Sequence, residues 1–366
     1  MAHENVGVNK MQSLDELLSV AKEKGGADVF IVPFSRVSIK VHGQMEPITE
    51  EKVNLQDIQG LIDRAYELAH REKKNLEQDG DDDFSFAIRD VSRFRCNVYR
   101  QRGSLAAVLR VVAFGLPDQA ERHIPDLVMK LAELRSGMVL VTGPAGTGKS
   151  TTLACILDRI NQTRSGHIIT IEDPIEYLHP HKNCLMSQRE VPEDVSSFAR
   201  AIRAALREAP DVIMLGEMRD IETISTAITA AETGHLLLST LHTLGAAKTI
   251  DRVIDAFPPE QQGQIRTQLS MVLRAVVSQR LVIGTDGKLY PVFEVMVVNP
   301  AIQNLIREGK THQIDNAISG AGNEMLSMDA ELARLARDGK ITKETARAYA
   351  LHPETMERQM RFGTMR

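Results

Sequence analysis

Tryptophan is absent, and ten phenylalanines and five tyrosines are the only aromatic residues, 4% of the chain. Proteins that grip single-stranded nucleic acid need flat side chains on which bases stack, and this chain offers few. Its three cysteines, Cys96, Cys155 and Cys184, are too widely spaced for a disulfide framework or a zinc site. They are expected to be reduced thiols in the core. No apolar run approaches the roughly 18 residues that span a bilayer, and the opening MAHENVGVNKMQSLDELL has no signal-peptide core. The expectation is a cytoplasmic chain with no membrane insertion. An excess of positive charge is also missing: 44 Lys and Arg against 49 Asp and Glu give a net charge of -5. Such a surface has no general attraction for phosphate backbones, so no nucleic-acid partner is expected.

What is present is an ordinary globular composition, 43% hydrophobic and 25% charged, over 366 residues. That length suits two domains better than one. Ser13 precedes a helical apolar pattern that Gly25 and Gly26 end, and the strand-like runs VFIVPF and VSIKVH come next, the second ending at His42-Gly43. Apolar residues recur at helical period from Leu55 to Leu76. Beyond an acidic run come DFSFAI, SRFRCNVYRQRG and SLAAVLRVV, three β-rich stretches spaced for an antiparallel meander. These make residues 1–114 an α+β domain. The composition changes at Phe114-Gly115-Leu116-Pro117, so 115–125 is expected to be a linker, with a helix after it from Asp126 to Leu134. From Gly137 onward, short apolar runs alternate with amphipathic helices, the pattern of a parallel α/β sheet. From about Pro258 the chain reads as mostly helical, apart from a strand-like pair around LVIG and YPVFEVMV.

The strongest chemical signal is Gly143-Pro144-Ala145-Gly146-Thr147-Gly148-Lys149-Ser150, set between the apolar run MVLVT and a helix opening STTLACIL. Strand, glycine-rich turn and helix N-terminus in that order cradle phosphate: backbone N–H groups point inward and the helix end adds positive potential. Lys149 would reach the β- and γ-phosphates, Ser150 would ligate magnesium, and Thr151 would assist at the α-phosphate. The ligand implied is ATP with Mg. Hydrolysis further needs carboxylates beside that loop. Two clusters qualify: Glu172-Asp173-Pro174-Ile175-Glu176 at the end of ITI, and Asp211-Val-Ile-Met-Leu-Gly216-Glu217, an apolar strand ending in an acid that could hold magnesium by way of water. Either alone could be a solvated acidic turn. His235 and His242 bracket LLLSTL, where they could be structural or could sense the γ-phosphate.

The four elements GPAGTGKST, ITIEDPIEY, APDVIMLGEMRD and TGHLLLSTLHT resemble, in order and spacing, the Walker A, Asp box, Walker B and His box of the type II secretion and type IV pilus ATPases. The text between them, notably SQREV, AAETGH and AAKTIDRVID, is similar to the branch that retracts pili in twitching motility. The likeness runs from about Leu14 to Arg347. It implies a PAS-like N-terminal α+β domain and, over 126–366, a RecA-like ATPase domain with a helical C-terminal part. It also implies a homohexameric ring in which ATP lies between one subunit's RecA-like domain and a neighbour's PAS-like domain. Glu176 matches the family's general base, Glu217 its Walker B acid, and His235 and His242 its sensor histidines. Arg93, Arg95, Arg102 and Arg110 fall where the family's N-terminal meander carries arginine fingers, and Arg93 and Arg95, two apart on a strand, would share a face.

The resemblance further implies a motor at the inner face of the cytoplasmic membrane, at the pilus base, with an inner-membrane platform protein and possible paralogous retraction ATPase as partners. Two positions depart from the pattern. Gln303 stands where the family's AIRNLIRE signature has arginine, and Ala27-Asp28-Val29-Phe30 replaces an Asp-Leu/Ile-His run. An accessory retraction paralogue is therefore the alternative. An assembly or secretion ATPase of the same superfamily is a further alternative, disfavoured because those chains are usually longer and often carry a four-cysteine zinc insertion.

Overall fold

The structure, a computed structural model, describes residues 12–41, 43–112 and 115–362. His42, Phe114 and the first eleven residues, on which parts of the sequence reading rest, lie outside the described residues. The chain divides into two compact units, Met1–Gly115 with Glu176–Leu178, and Leu116–Ile175 with His179–Arg366.

The first unit is built on a six-stranded antiparallel sheet: β1 (Asp28–Ile31), β2 (Arg36–Val41), β3 (Gln44–Lys52), β4 (Asp81–Ile88), β5 (Ser92–Gln101) and β6 (Ser104–Val112). Their order is β3-β2-β1-β6-β5-β4. Ser13 caps the first helix, Leu14–Glu23: its hydroxyl accepts from the Glu16 N–H, and the Glu16 carboxylate accepts from the Ser13 N–H. The helical period expected to run to Leu76 is interrupted. Leu55–Leu68 is one helix and Lys74–Gln78 another, separated where His70 takes φ +51°. Period 2 governs β4 and β5, whose Phe84, Phe86, Phe94, Cys96 and Val98 turn inward onto Leu17, Leu61 and Tyr66. The intervening positions of β5, Arg93 and Arg95 among them, are only partly covered.

The second unit carries seven strands: β7 (Gly137–Thr142), β8 (Gly166–Glu172), β9 (Cys184–Glu190), β10 (Val212–Leu215), β11 (Leu236–Leu241), β12 (Leu273–Ile283) and β13 (Leu289–Val297). They are ordered β13-β12-β7-β11-β10-β8-β9, and every neighbouring pair is parallel except β12 with β13. β7, β10 and β11 are buried at every residue, because helices cover both faces of the sheet. Alternate side chains supply two cores: Leu237 packs with Ile224, Ile250 and Leu269, whereas Leu238 packs with Ile156, Leu157 and Val139. The expected helix from Asp126 is α only over Asp126–Met129 and then 3₁₀ over Lys130–Glu133. Within this unit, the Cys155 thiol reaches the Pro117 carbonyl, Arg159 donates to the Gln119 side chain, and Ile124 joins the core. All three cysteines are buried and free, and burial pushes the Cys155 thiol up to about 11.

Two strands exceed the sequence reading. CLMSQRE forms β9 at the sheet edge, and β12 begins at Leu273, well before LVIG, so the strand pair in the C-terminal part belongs to the central sheet. The helices beyond β13 pack Met328, Leu332, Leu335 and Met356 onto Val282 and Val292.

Glu294 sits on β13, 3% exposed, and accepts the Ala246 N–H at 2.8 Å. Burial raises its carboxyl from 4.5 to about 7, with the Asp315 and Asp329 charges adding to the rise. The folded state therefore binds this proton more tightly than the unfolded chain does. Stability should fall as pH rises from about 4.5 through 7 and level off above, a loss on the order of 3 kcal/mol. Urea unfolding of wild type against Glu294→Gln checks this: the variant should gain relative stability across that window, and a pH-independent difference would contradict the assignment.

Candidate functional site

Parallel registry decides which side chains can meet. Leu241 pairs with Thr142, and Leu215 pairs with both Ser239 and Ile171, so β7, β11, β10 and β8 end at the same edge of the sheet. The next backbone bonds continue that alignment: the Gly143 N–H reaches the Leu241 carbonyl at 3.2 Å and the Gly216 N–H the Ile171 carbonyl at 2.8 Å. The glycine-rich loop, Glu172, Glu217 and His242 are thereby placed along one rim, where ligands of open α/β sheets bind.

The loop leaves β7 through Gly143 at φ +145° and enters the helix Lys149–Thr163 through Gly148 at φ +87°. A methyl group on Gly143 would lie 2.3 Å from the Gln279 carbonyl oxygen and 2.9 Å from the Thr147 hydroxyl, so the loop can pass only without a side chain. Thr147 donates to the Pro144 carbonyl at 2.9 Å, and Lys149, 8% exposed, donates to the Gly143 and Pro144 carbonyls at 2.9 and 3.0 Å. The ammonium is thus folded over the loop beside the helix N-terminus. Pro144, Ala145 and Gly146 are exposed, whereas Ser150, in the first helical turn, is half-buried.

Glu217 has a side chain 13% exposed and is engaged at both oxygens: Arg219 lies 2.5 Å from one and His242 Nε2 3.1 Å from the other. The Thr240 hydroxyl ties down the Gly216 carbonyl at 2.5 Å, fixing the turn on which Glu217 stands. Walker B and His box residues are therefore in direct contact. His235 is not part of that contact. It stands before β11, with Nδ1 3.0 Å from the Ala230 carbonyl and 3.1 Å from the Thr233 hydroxyl, and six strand residues separate it from His242, about 20 Å of extended chain.

Of the other acidic cluster, Glu172 is buried, accepting from the Thr170 hydroxyl at 2.7 Å and Gln188 at 3.2 Å. Its register partner Glu190 accepts the Ile175 N–H at 3.0 Å and so holds the turn after β8. Glu176 lies beyond that turn and is exposed, among the residues grouped with the first unit.

The four arginines belong to the first unit and do not all share a face. Arg95 stands directly opposite Arg110, and Arg93 two residues before it, so these three are on one face. Their like charges are offset by Asp83, 2.6 Å from Arg95, and Asp28, 2.8 Å from Arg110. Arg102 is in the two-residue turn between β5 and β6, where it and Gly103 take φ +47° and +77°, the conformation tight hairpins require.

Sequence reasoning missed Gln279 on β12. It is 2% exposed, donates to the Thr147 carbonyl at 2.5 Å and accepts from the Thr152 hydroxyl at 2.8 Å. The signal available was a long amide side chain inside the apolar run RAVVSQRLVI.

Comparison with known proteins gives the same outline. The family profile described as "Type II/IV secretion system protein" matches residues 7–289. The Type IV pilus retractation ATPase PilT of Pseudomonas aeruginosa is 42% identical over 343 residues, 93% of this chain and 99% of the relative. The Type IV pilus ATPase PilU of the same organism is 36% identical over 352 residues, 96% and 92% of the two chains. The crystal structure of the pilus retraction motor PilT with bound ADP superposes with a TM-score of 0.88 at 43% identity, covering 95% of this chain and 100% of that one.

Gly143→Ala should leave the fold intact while the loop shifts off the rim, weakening ATP binding by about tenfold or more. Titration with a fluorescent nucleotide measures it, with Gly60→Ala, where a methyl meets nothing within 4 Å, as the control. Equal affinities in the two variants would contradict the close approach at Gln279.

Proposed function

The chain belongs to the Type II/IV secretion system protein family, as an ATPase of the kind that retracts type IV pili, and from that premise we propose how its residues carry out the work. The observation that carries the reading is the single rim at which the glycine-rich loop, Lys149 and the bonded pair Glu217–His242 converge. The backbone N–H groups of residues 145–150 hold the phosphates of ATP against the helix N-terminus. Lys149 exchanges the Gly143 and Pro144 carbonyls for the β- and γ-phosphate oxygens, a rotation its flexible stem allows.

The residues present fit magnesium. Ser150 is half-buried beside the loop, and Glu217 presents a carboxylate whose present partners, exposed Arg219 and His242, can be displaced. Bound there, the ion would neutralise phosphate-oxygen charge. Glu176 takes the proton of the attacking water, and Glu172, fixed by Thr170 and Gln188, holds the end of β8 from which that segment springs. His242 reports occupancy of the rim to β11 through its contact with Glu217, and His235, at the other end of that strand, receives the change.

The working assembly is a homohexamer with ATP at the subunit joints. Arg93, Arg95 and Arg110, with Arg102 at the hairpin tip, approach the phosphates of a neighbouring subunit, where guanidinium charge offsets the negative charge that spreads over the transferring phosphoryl. To do so, Arg95 and Arg110 leave Asp83 and Asp28. The linker 115–125 is the hinge. Because Pro117, Gln119 and Ile124 are bound into the second unit, the bending concentrates at residues 115 and 116. Movement of units around a closed ring becomes depolymerising work on a platform protein at the inner face of the cytoplasmic membrane. Gln303 in place of arginine favours a second reading, an accessory retraction ATPase working beside a paralogue.

Phosphate release by the purified full chain, with assembly mass recorded in the same samples, tests the mechanism. Lys149→Ala should lose nucleotide binding, and Glu176→Ala should keep it while hydrolysis falls by about a hundredfold or more. Hydrolysis that survives Glu176→Ala but not Glu172→Ala would move the base to the buried carboxylate.

A further inference from the structure

We propose that Gln279 is a positioning residue for phosphoryl transfer, one that aims the Gly148 backbone donor of the phosphate loop from a strand outside the nucleotide-binding motifs. The inference rests on the reading of this chain as an ATPase.

Both ends of the Gln279 amide are used. Nε2 donates to the Thr147 carbonyl at 2.5 Å, and Oε1 accepts from the Thr152 hydroxyl at 2.8 Å. Only one orientation of the amide satisfies both partners, since a carbonyl can only accept and the amide oxygen cannot donate. At 2% exposure the amide is shielded from bulk solvent. The strand is itself fixed on each side. Ser278 accepts the Gly245 N–H at 2.9 Å, and Arg280 bonds the Tyr349 carbonyl while lying 5.6 Å from that ring.

Peptide planarity gives these bonds their consequence. The Thr147 carbonyl and the Gly148 N–H belong to one trans peptide and point in opposite directions. Anchoring the carbonyl toward β12 therefore turns the Gly148 N–H away from the sheet, into the loop. Free of a side chain at φ +87°, Gly148 can hold that peptide while a methyl there would lie 3.3 Å from Gln279 Nε2. Thr152 sits one turn into the helix Lys149–Thr163, so the same amide sets the rotation of the helix whose N-terminus faces the phosphates. The Gln279 main-chain carbonyl closes the other end of the loop against Gly143. One residue thus fixes the entry, the Thr147–Gly148 peptide and the helix of the cradle, with both ends of its amide bonded inside the protein.

As the terminal phosphoryl leaves, negative charge grows on the oxygens it leaves behind, and donors already aimed at them help most at that moment. Loosening the Gly148 peptide should then reduce kcat more than it weakens ground-state binding. Steady-state hydrolysis by the full chain, with affinity for a non-hydrolysable ATP analogue, assembly mass and thermal midpoint measured alongside, reads this split. Gln279→Leu, similar in size and unable to bond either partner, should lower kcat by about ten- to a hundredfold and change affinity for a non-hydrolysable ATP analogue by about threefold at most. Thr152→Val removes only the anchor on Oε1 and should give a smaller kcat loss. The double variant should be no slower than Gln279→Leu alone, because both changes break one arrangement.

Wild-type kcat in Gln279→Leu, or a loss carried wholly by affinity for the uncleaved analogue, overturns the proposal. If Gln279→Leu fails to assemble, unchanged kcat in Thr152→Val overturns it instead. An assembled wild type that hydrolyses no more ATP than Lys149→Ala overturns the ATPase reading itself, a result distinct from either of the others.

Discussion

The registry of four parallel strands is the constraint on which the second unit depends. Backbone bonds between β7, β11, β10 and β8 fix where each strand stops, and at each stop stands a part of the candidate site: the glycine-rich loop after Thr142, His242 after Leu241, Glu217 after Gly216, and Glu172 at the last position of β8. Slipping one strand by one residue would turn its side chains to the opposite face and carry its terminal group along the rim by roughly 3 Å. Continuous burial of β7, β10 and β11 makes such slippage costly, since both faces are packed. The apolar cores therefore act on chemistry indirectly, by holding the registry that places polar groups at the rim.

The polar groups around that rim are constrained differently from the core. Thr240, Thr170, Gln188, Gln279 and Glu190 each spend hydrogen bonds on holding a turn or a carboxylate, and each is partly or fully buried. Such bonds contribute modestly to net stability, but leaving one partner unmatched in a dry site is expensive. Their effect is to restrict the loop and the Asp-box turn to one arrangement. In contrast, Lys149, Glu217 and two arginines of the first unit are paired with loop carbonyls, with Arg219 and His242, and with Asp83 and Asp28, partners that the proposed mechanism has them exchange for phosphate and magnesium. Under that proposal, fixed supports surround groups that change partners, the combination a cyclic ATPase needs.

The first unit obeys simpler rules. A meander of alternating residues buries Phe84, Phe86 and Phe94 and leaves the opposite positions of β5 to arginine, so the packing of one face dictates the placement of charge on the other. The ion pair of Arg71 with buried Asp82, to which the Tyr66 hydroxyl and Asn75 also donate, ties the helices to the start of β4.

By itself the sequence determined the elements whose signals are local. The phosphate loop, the β4–β6 meander, the capped first helix and the apolar runs of β7, β8, β10 and β11 are all encoded in short spacings, because glycine, capping residues and periodicity of 2 or 3.6 act over a few residues. The order of the four motifs was also legible, and with it the family. What only tertiary structure decided were pairings between distant segments. β9 is an edge strand with too little apolar alternation to declare itself, and β12 joins the central sheet because its partner β7 lies more than a hundred residues away. Gln279 could not be connected to the loop from spacing, since Thr147 is 132 positions distant. Likewise, His235 and His242 looked equivalent as the two ends of one run, until the strand between them set only His242 against Glu217. Local chemistry writes the elements into the chain, whereas contacts across long sequence separations, which no short window contains, decide which of their side chains meet.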